Sequence, residues 1–178
     1  MKFLVLLPLS AALLVTSCGE KSSSEGSDST GATAEPSADA TQETEKPLTH
    51  PLSDADIERL LKEAVDAESL PERDGLIYHD NKPYSGWGKG MHYDSSQAAQ
   101  LAYIKDGKPD GPSIEWYQNG QKRGEGSYKK GKPDGPFIEW HKNGQKAAQG
   151  TFKDGEEDSV KYWNSKGEEV ETREEAFE

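Results

Sequence analysis

Hydrophobic and polar positions alternate with a period of two along Pro112-Ser113-Ile114-Glu115-Trp116-Tyr117, and the alternation returns in Pro136-Phe137-Ile138-Glu139-Trp140-His141. Such a period belongs to a β-strand, with Ile114 and Trp116 on one face and Ser113, Glu115 and Tyr117 on the other. Each strand runs into Asn119-Gly120 or Asn143-Gly144 and on to a second strand, so each unit reads as a hairpin. The faces also choose the loop. A two-residue loop would set Trp116 against Arg123 and Ile114 against Glu125, mixing charge into the apolar face. A three-residue loop, Gln118-Asn119-Gly120 with Gly120 left-handed, sets Trp116 against Lys122 and Ile114 against Gly124. In the next unit it places Trp140 by Lys146, Ile138 by Ala148 and Pro136 by Gly150, small residues making room for large ones. The expected core therefore holds the isoleucines with Trp87, Trp116 and Trp140. Tyr117, Phe137 and His141, interleaved with Glu115 and Glu139, are left facing outward.

The two hairpins are copies of one another. Gly107 to Lys122 returns as Gly131 to Lys146, 24 positions later, with 13 identities in 16. A fixed period of this kind marks a supersecondary unit stacked on its own copies. Asp110-Gly111 and Asp134-Gly135, each after a proline, are expected to close the connection between successive hairpins. Leu76 to Tyr103 reads as a worn first copy. A last one begins well, since Ile104, Tyr128 and Phe152 recur at the same period, but it decays after Gly155 and leaves open whether Tyr162 or Trp163 takes the place of Trp140. A degenerate unit followed by the acidic tail Glu168 to Glu178 suits a solenoid end that meets water. Upstream, Ser53 and Asp56 approximate a capping box, and Ile57, Leu60, Leu61, Ala64 and Val65 share one helical face. The pattern predicts an amphipathic helix of about 14 residues, placed as an end cap on the first strands, with partner binding as its other possible use.

The fold class is thus mainly β: an antiparallel meander of stacked hairpins, each of roughly 24 residues, in one twisted sheet with one N-terminal amphipathic helix. Before that helix the chain is a different material. Lys2 and the apolar run Phe3 to Val15 form an export signal too short to span a bilayer. Val15-Thr16-Ser17-Cys18 resembles the bacterial lipobox, which implies cleavage before Cys18 and lipidation of its thiol. An incidental cysteine in a secreted protein is the other reading. Two or three acyl chains anchor stably, because each buried methylene contributes about 0.8 kcal/mol. Residues 19–50 are rich in Ser, Thr, Gly, Ala, Glu, Asp and Pro, with Leu48 as the only large aliphatic side chain. Such a segment cannot bury enough apolar surface to offset its ordering entropy, and reads as a disordered tether with a reach of about 30 Å. The organisation is then a signal peptide over 1–17, lipidated cysteine and linker over 18–50, capping helix over 51–70, and about four hairpin repeats over 71–178.

Charge narrows the partners. The net charge is −12, and removal of residues 1–17, which contain Lys2 and no acid, takes it to −13. Nucleic acid is excluded as a partner, since its binding depends on basic patches. Docking on anionic lipid is disfavoured too, leaving the acyl chains on Cys18 as the membrane contact. Cys18 is the only cysteine, so no disulfide is expected in the fold.

Gly-Lys-x-Asp-Gly-Pro, Glu-Trp-Tyr, Asn-Gly-Gln-Lys and Glu-Gly-x-Tyr-Lys together resemble the MORN repeat variant, over roughly Leu76 to Val170. That family occurs in bacterial lipoproteins and in proteins labelled YwqK-like antitoxins. The resemblance implies a twisted meander of hairpins serving as a binding or assembly surface. Gly19 after the cysteine implies, by likeness to Gram-negative lipoproteins, sorting to the outer membrane.

Nothing in the residues points to an enzyme or a cofactor. His50 lies in the tether, His141 replaces Tyr117 of the preceding copy, and His79 and His92 lack partners at metal-ligand spacing. Asp106, Asp110 and Asp134 read as turn residues rather than ligands of a hard cation. Two functions remain. One is a lipid-anchored, non-catalytic interaction or scaffold module of the cell envelope, in which Tyr117, Phe137, His141, Glu115 and Glu139 form the contact stripe for a protein or cell-wall polymer. The alternative is an antitoxin- or immunity-type neutraliser of an exported toxin.

Overall fold

Left-handed residue pairs decide where one hairpin passes to the next. Asp106-Gly107, Lys130-Gly131 and Asp154-Gly155 all have both residues at positive φ, near 50° for the first and 80° to 94° for the second. This is the type I′ loop, whose twist suits the strands on either side. These pairs make the connections expected of Asp110-Gly111 and Asp134-Gly135; Asp110-Gly111 lies within the strand Lys108–Trp116 instead, and Asp134 is the single residue between two short strands, with Gly135 opening the second. Gly111 sits inside a strand at φ 150° and Gly135 opens one at φ 111°; a Cβ on Gly111 would meet the Tyr103 side chain at 3.1 Å.

The computed structural model describes Leu52 to Glu178; the signal, Cys18 and the tether lie outside the described residues. Helix α1 (Asp54–Glu63) is followed by β1 (Val65–Asp66) and a 3-10 turn (Ala67–Ser69). Next come β2 (Glu72–Arg73), β3 (Leu76–His79), β4 (Lys82–Pro83), β5 (Gly86–Met91), β6 (Ala98–Lys105) and β7 (Lys108–Trp116). The later elements are β8 (Lys122–Lys129), β9 (Lys132–Pro133), β10 (Gly135–Trp140), β11 (Lys146–Lys153), β12 (Glu156–Trp163), β13 (Glu169–Val170) and α2 (Arg173–Phe177). The main sheet runs β1-β5-β6-β7-β8-β10-β11-β12-β13, with β9 also beside β8. Every pair from β5 onward is antiparallel, so the meander of hairpins is the fold.

Three details depart from the sequence reading. The sheet is not single: Glu72 to Pro83 builds a separate three-stranded sheet, β2-β3-β4. The first repeat therefore starts near Tyr84, whose carbonyl accepts the Gly107 N–H at 2.8 Å as Pro109 accepts Gly131 and Pro133 accepts Gly155. The helix is ten residues long, with Ser53 Oγ accepting the Asp56 N–H at 3.2 Å. Ala64 turns extended as its cap, and the β-branched Val65 pairs in parallel with Gly88 at the sheet edge.

The third detail concerns the faces: Ile114 is buried as expected, but the opposite face, expected outward, is buried as well. The loop Gln118-Asn119-Gly120 forms as expected, with Gly120 at φ 82° and the Tyr117 N–H on the Gln121 carbonyl at 2.9 Å. Trp116 pairs with Lys122 and Trp140 with Lys146. Arg123 and Ala147 are then extra residues, β-bulges that shift the register by one. Ile114 consequently pairs with Glu125 rather than Gly124, Ile138 with Gln149 rather than Ala148, and Pro136 with Thr151 rather than Gly150. A slip of one residue carries every side chain across the sheet. The small residues Gly124, Ala148 and Gly150 thus stand beside Glu115, Glu139 and Phe137, and that face becomes interior.

Two clusters form the core. On one face, Leu52, Ile57, Leu60 and Ala64 around α1 pack on Leu101 and Ile114, with Trp87 and Trp116 half-buried at the margin. On the other, Phe137, Phe152, Ala148 and Tyr162 close around Ala176 of α2. Phe137, expected outside, is 1% exposed, and the Phe137 and Phe152 ring centroids are 4.5 Å apart. The tryptophans, expected as core, are half-buried. At the far end Trp163 takes the place of Trp140, because His141 Nε2 lies 2.8 Å from its carbonyl oxygen just as the Tyr117 hydroxyl reaches that of Trp140.

Candidate functional site

One row of paired residues crosses the interior face: Gly90, Gln100, Glu115, Gly124, Glu139, Ala148, Tyr162 and Val170. Gly124 stands opposite both Glu115 and Glu139, and its missing side chain leaves room between two carboxylates. Both glutamates are only 7% exposed. A buried carboxylate is costly unless paired, and here an arginine serves each one.

Arg123, the bulge residue of β8, brings Nη1 to 3.3 Å from Glu115 Oε2. Arg173, at the start of α2, donates Nη2–H to Glu139 Oε2 at 2.5 Å and lies 3.3 Å from Glu157 through Nη1. Thr172 caps that short helix, its hydroxyl oxygen accepting the Glu175 N–H at 3.3 Å, and so fixes where Arg173 projects. Burial pushes the Glu115 carboxyl above its ordinary range; Arg123 draws it back in part and the charge of Glu139 pushes it further up. Glu139 is raised by burial as well, against the pull of Arg173. The Tyr117 hydroxyl is also raised, chiefly by burial.

Above this row lies a cleft of about 410 Å³, floored by Glu115, Gly124 and Glu139 and walled by Tyr117, Trp140 and Phe177. Phe177 is 46% exposed; the guanidinium of Arg173 sits 5.2 Å from its ring centroid and the His141 ring 5.3 Å away. The arrangement suits recognition of a group with one apolar side and hydrogen-bonding capacity, since aromatic walls supply contact area while the ion pairs fix orientation.

Of the residues expected to form a contact stripe, Tyr117, Glu115 and Glu139 come together in this cleft. Phe137 lies in the core, and His141 is buried with Nε2 on the Trp163 carbonyl. Their expected outward direction is corrected by the bulges. Sequence reasoning missed Arg123, Arg173 and Phe177. Two signals were present: Arg123 breaks the repeat, since Ala147 replaces it one period on, and Arg173 is the sole base in the acidic tail.

Two of the three aspartates expected as turn residues have structural partners. Asp110 accepts the Lys130 N–H at 3.4 Å and Asp134 the Asp154 N–H at 3.3 Å. Among the described residues no group of three or more His, Cys, Asp or Glu is placed to hold a metal ion. None of the described helices is long and apolar enough to cross a membrane.

Comparison with known families matches the MORN repeat variant to residues 109–130 and 133–154. No curated protein and no solved structure matches the chain.

Proposed function

We propose that the chain, which matches the MORN repeat variant over residues 109–130 and 133–154, works as a non-catalytic interaction module held at the bacterial envelope by a lipid on Cys18. Such repeats are in general modules of protein or membrane interaction, which supports the first half of this reading. The observation that carries it is the cleft, where Tyr117, Trp140 and Phe177 enclose a row of arginine-held carboxylates. Both glutamates are committed to ion pairs and the Tyr117 hydroxyl to a carbonyl, a set built to hold shape. The anchor rests on Lys2, the apolar run and Cys18, and outer-membrane placement on Gly19.

The test is recovery of partners from detergent-solubilised envelopes, comparing wild type with a Phe177→Ser, Glu174→Lys variant that alters only exposed cleft residues. A protein or cell-wall polymer retained by wild type and lost by the variant supports the reading; equal recovery by both removes the cleft from it. A single exported toxin as the partner would establish the immunity-type alternative. Cys18→Ser should abolish incorporation of labelled palmitate, and continued labelling would refute the anchor.

A further inference from the structure

Each repeat boundary is closed by the same contacts. At the first clean boundary, the Pro109 carbonyl accepts the Gly131 N–H at 2.7 Å and the Asp110 carboxylate accepts the Lys130 N–H. One period later, Pro133 accepts Gly155 at 2.9 Å and Asp134 accepts Asp154. The equivalent positions in the last unit are Glu157 and Asp158, on the strand β12.

The strand carrying them is open. β12 pairs with β11 along its length, but on its other side β13 reaches only Tyr162 and Trp163. Among the described residues, Glu156 to Lys161 is thus a sheet edge with its outer backbone groups unpaired by strand. An open edge is a template for another strand. We propose that this edge is a strand-addition site, occupied by a lysine-rich β-hairpin or extended strand of a partner protein.

Charge selects that occupant. Glu156, Glu157 and Asp158 border a shallow cavity of about 440 Å³ with Asp154, Lys132 and Lys153; Glu157 is already held by Arg173 and by the Tyr162 hydroxyl, so Glu156 and Asp158 are the acids left to an occupant. Lys161, the one base of β12, is engaged by Glu169 at 3.1 Å. A second copy of the chain would bring two acidic runs to one seam, which like charges oppose. A basic strand meets both the backbone and the charge. At one of the two clean seams the docking turn is itself basic, Lys129-Lys130-Gly131-Lys132, while at the other it is Lys153-Asp154-Gly155-Glu156.

The probe is therefore a synthetic peptide of residues 124–136, added to the full-length chain in detergent. Binding is followed by fluorescence anisotropy and by amide exchange over Glu156 to Lys161. The expected result is saturable binding that slows exchange across those amides, weakens with salt, and falls about tenfold or more in a Glu156→Lys, Asp158→Lys variant that keeps the wild-type circular dichroism. Equal binding of a scrambled peptide of the same charge would overturn the proposal, as would binding without added protection at Glu156 to Lys161. Self-association through this edge would overturn it in favour of a second copy.

Discussion

The Tyr117 hydroxyl donates to the Trp140 carbonyl oxygen at 2.7 Å, fastening the loop of one repeat to the strand end of the next. His141 occupies the equivalent place one period later, with Nε2 2.8 Å from the Trp163 carbonyl. A tyrosine and a histidine are chemically unlike, yet each offers one donor at similar reach. The exchange of Tyr117 for His141 between the copies is therefore explained by a shared hydrogen bond. Tyr117→Phe removes the donor and keeps the ring. We expect it to lower stability by about 0.5–1.5 kcal/mol, with the urea midpoint shifting and the slope unchanged.

Phe137 tests the assignment of faces. As the 1%-exposed centre of the cluster with Phe152 and Tyr162, its truncation to Ala should cost about 3–5 kcal/mol. Phe177→Ser, on the rim of the cleft, should cost far less. Thermal unfolding of the two variants side by side would show the contrast; similar small losses would mean that Phe137 faces water.

Glu115 gives the fold a dependence on pH. Its folded carboxyl titrates above the ordinary value of 4.5, chiefly because of burial. A raised folded value means that the protonated form favours folding. That contribution is complete below 4.5 and is lost as pH rises through the folded value. Glu115→Gln removes the titration, so relative to wild type it should gain more at pH 7 than at pH 4. Urea midpoints at the two pH values decide this, and a gain larger at pH 4 would contradict it.

Gly131 tests the connection between hairpins. Its φ of 86° lies in the left-handed region, while an added Cβ would meet only the Lys108 side chain at an ordinary 3.7 Å. Gly131→Ala should therefore cost about 1–2 kcal/mol from backbone strain alone, measurable by urea unfolding. A neutral result would place the turn elsewhere.

Much of this architecture was legible because it repeats. The period, the hairpins, and the three-residue loop ending in left-handed Gly120 all follow from alternation and from Asn-Gly. The bulges do not, because Arg123 and Ala147 carry none of the marks of an interrupted strand, and without them Phe137 and Ile138 exchange faces. The type I′ connections hid behind stronger signals: Pro-Asp-Gly is a better turn motif than Lys130-Gly131, but Gly111 and Gly135 are used for close approach within strands. The cleft was half legible. Glu115, Tyr117 and Glu139 were found together, whereas Arg173 comes from the tail, 34 positions beyond the carboxylate it serves, and no local pattern joins the two.

The Pro109–Gly131 and Pro133–Gly155 hydrogen bonds each span 22 residues, and they give the domain an evolutionary grammar. A copied segment of one period, inserted in register between the two clean hairpins, brings along both halves of every seam it creates. Gene duplication can therefore lengthen this protein without inventing a single new interface. The two ends are different: α1 seals one face and α2 the other, and a copy of either placed inside the array would meet nothing shaped to receive it.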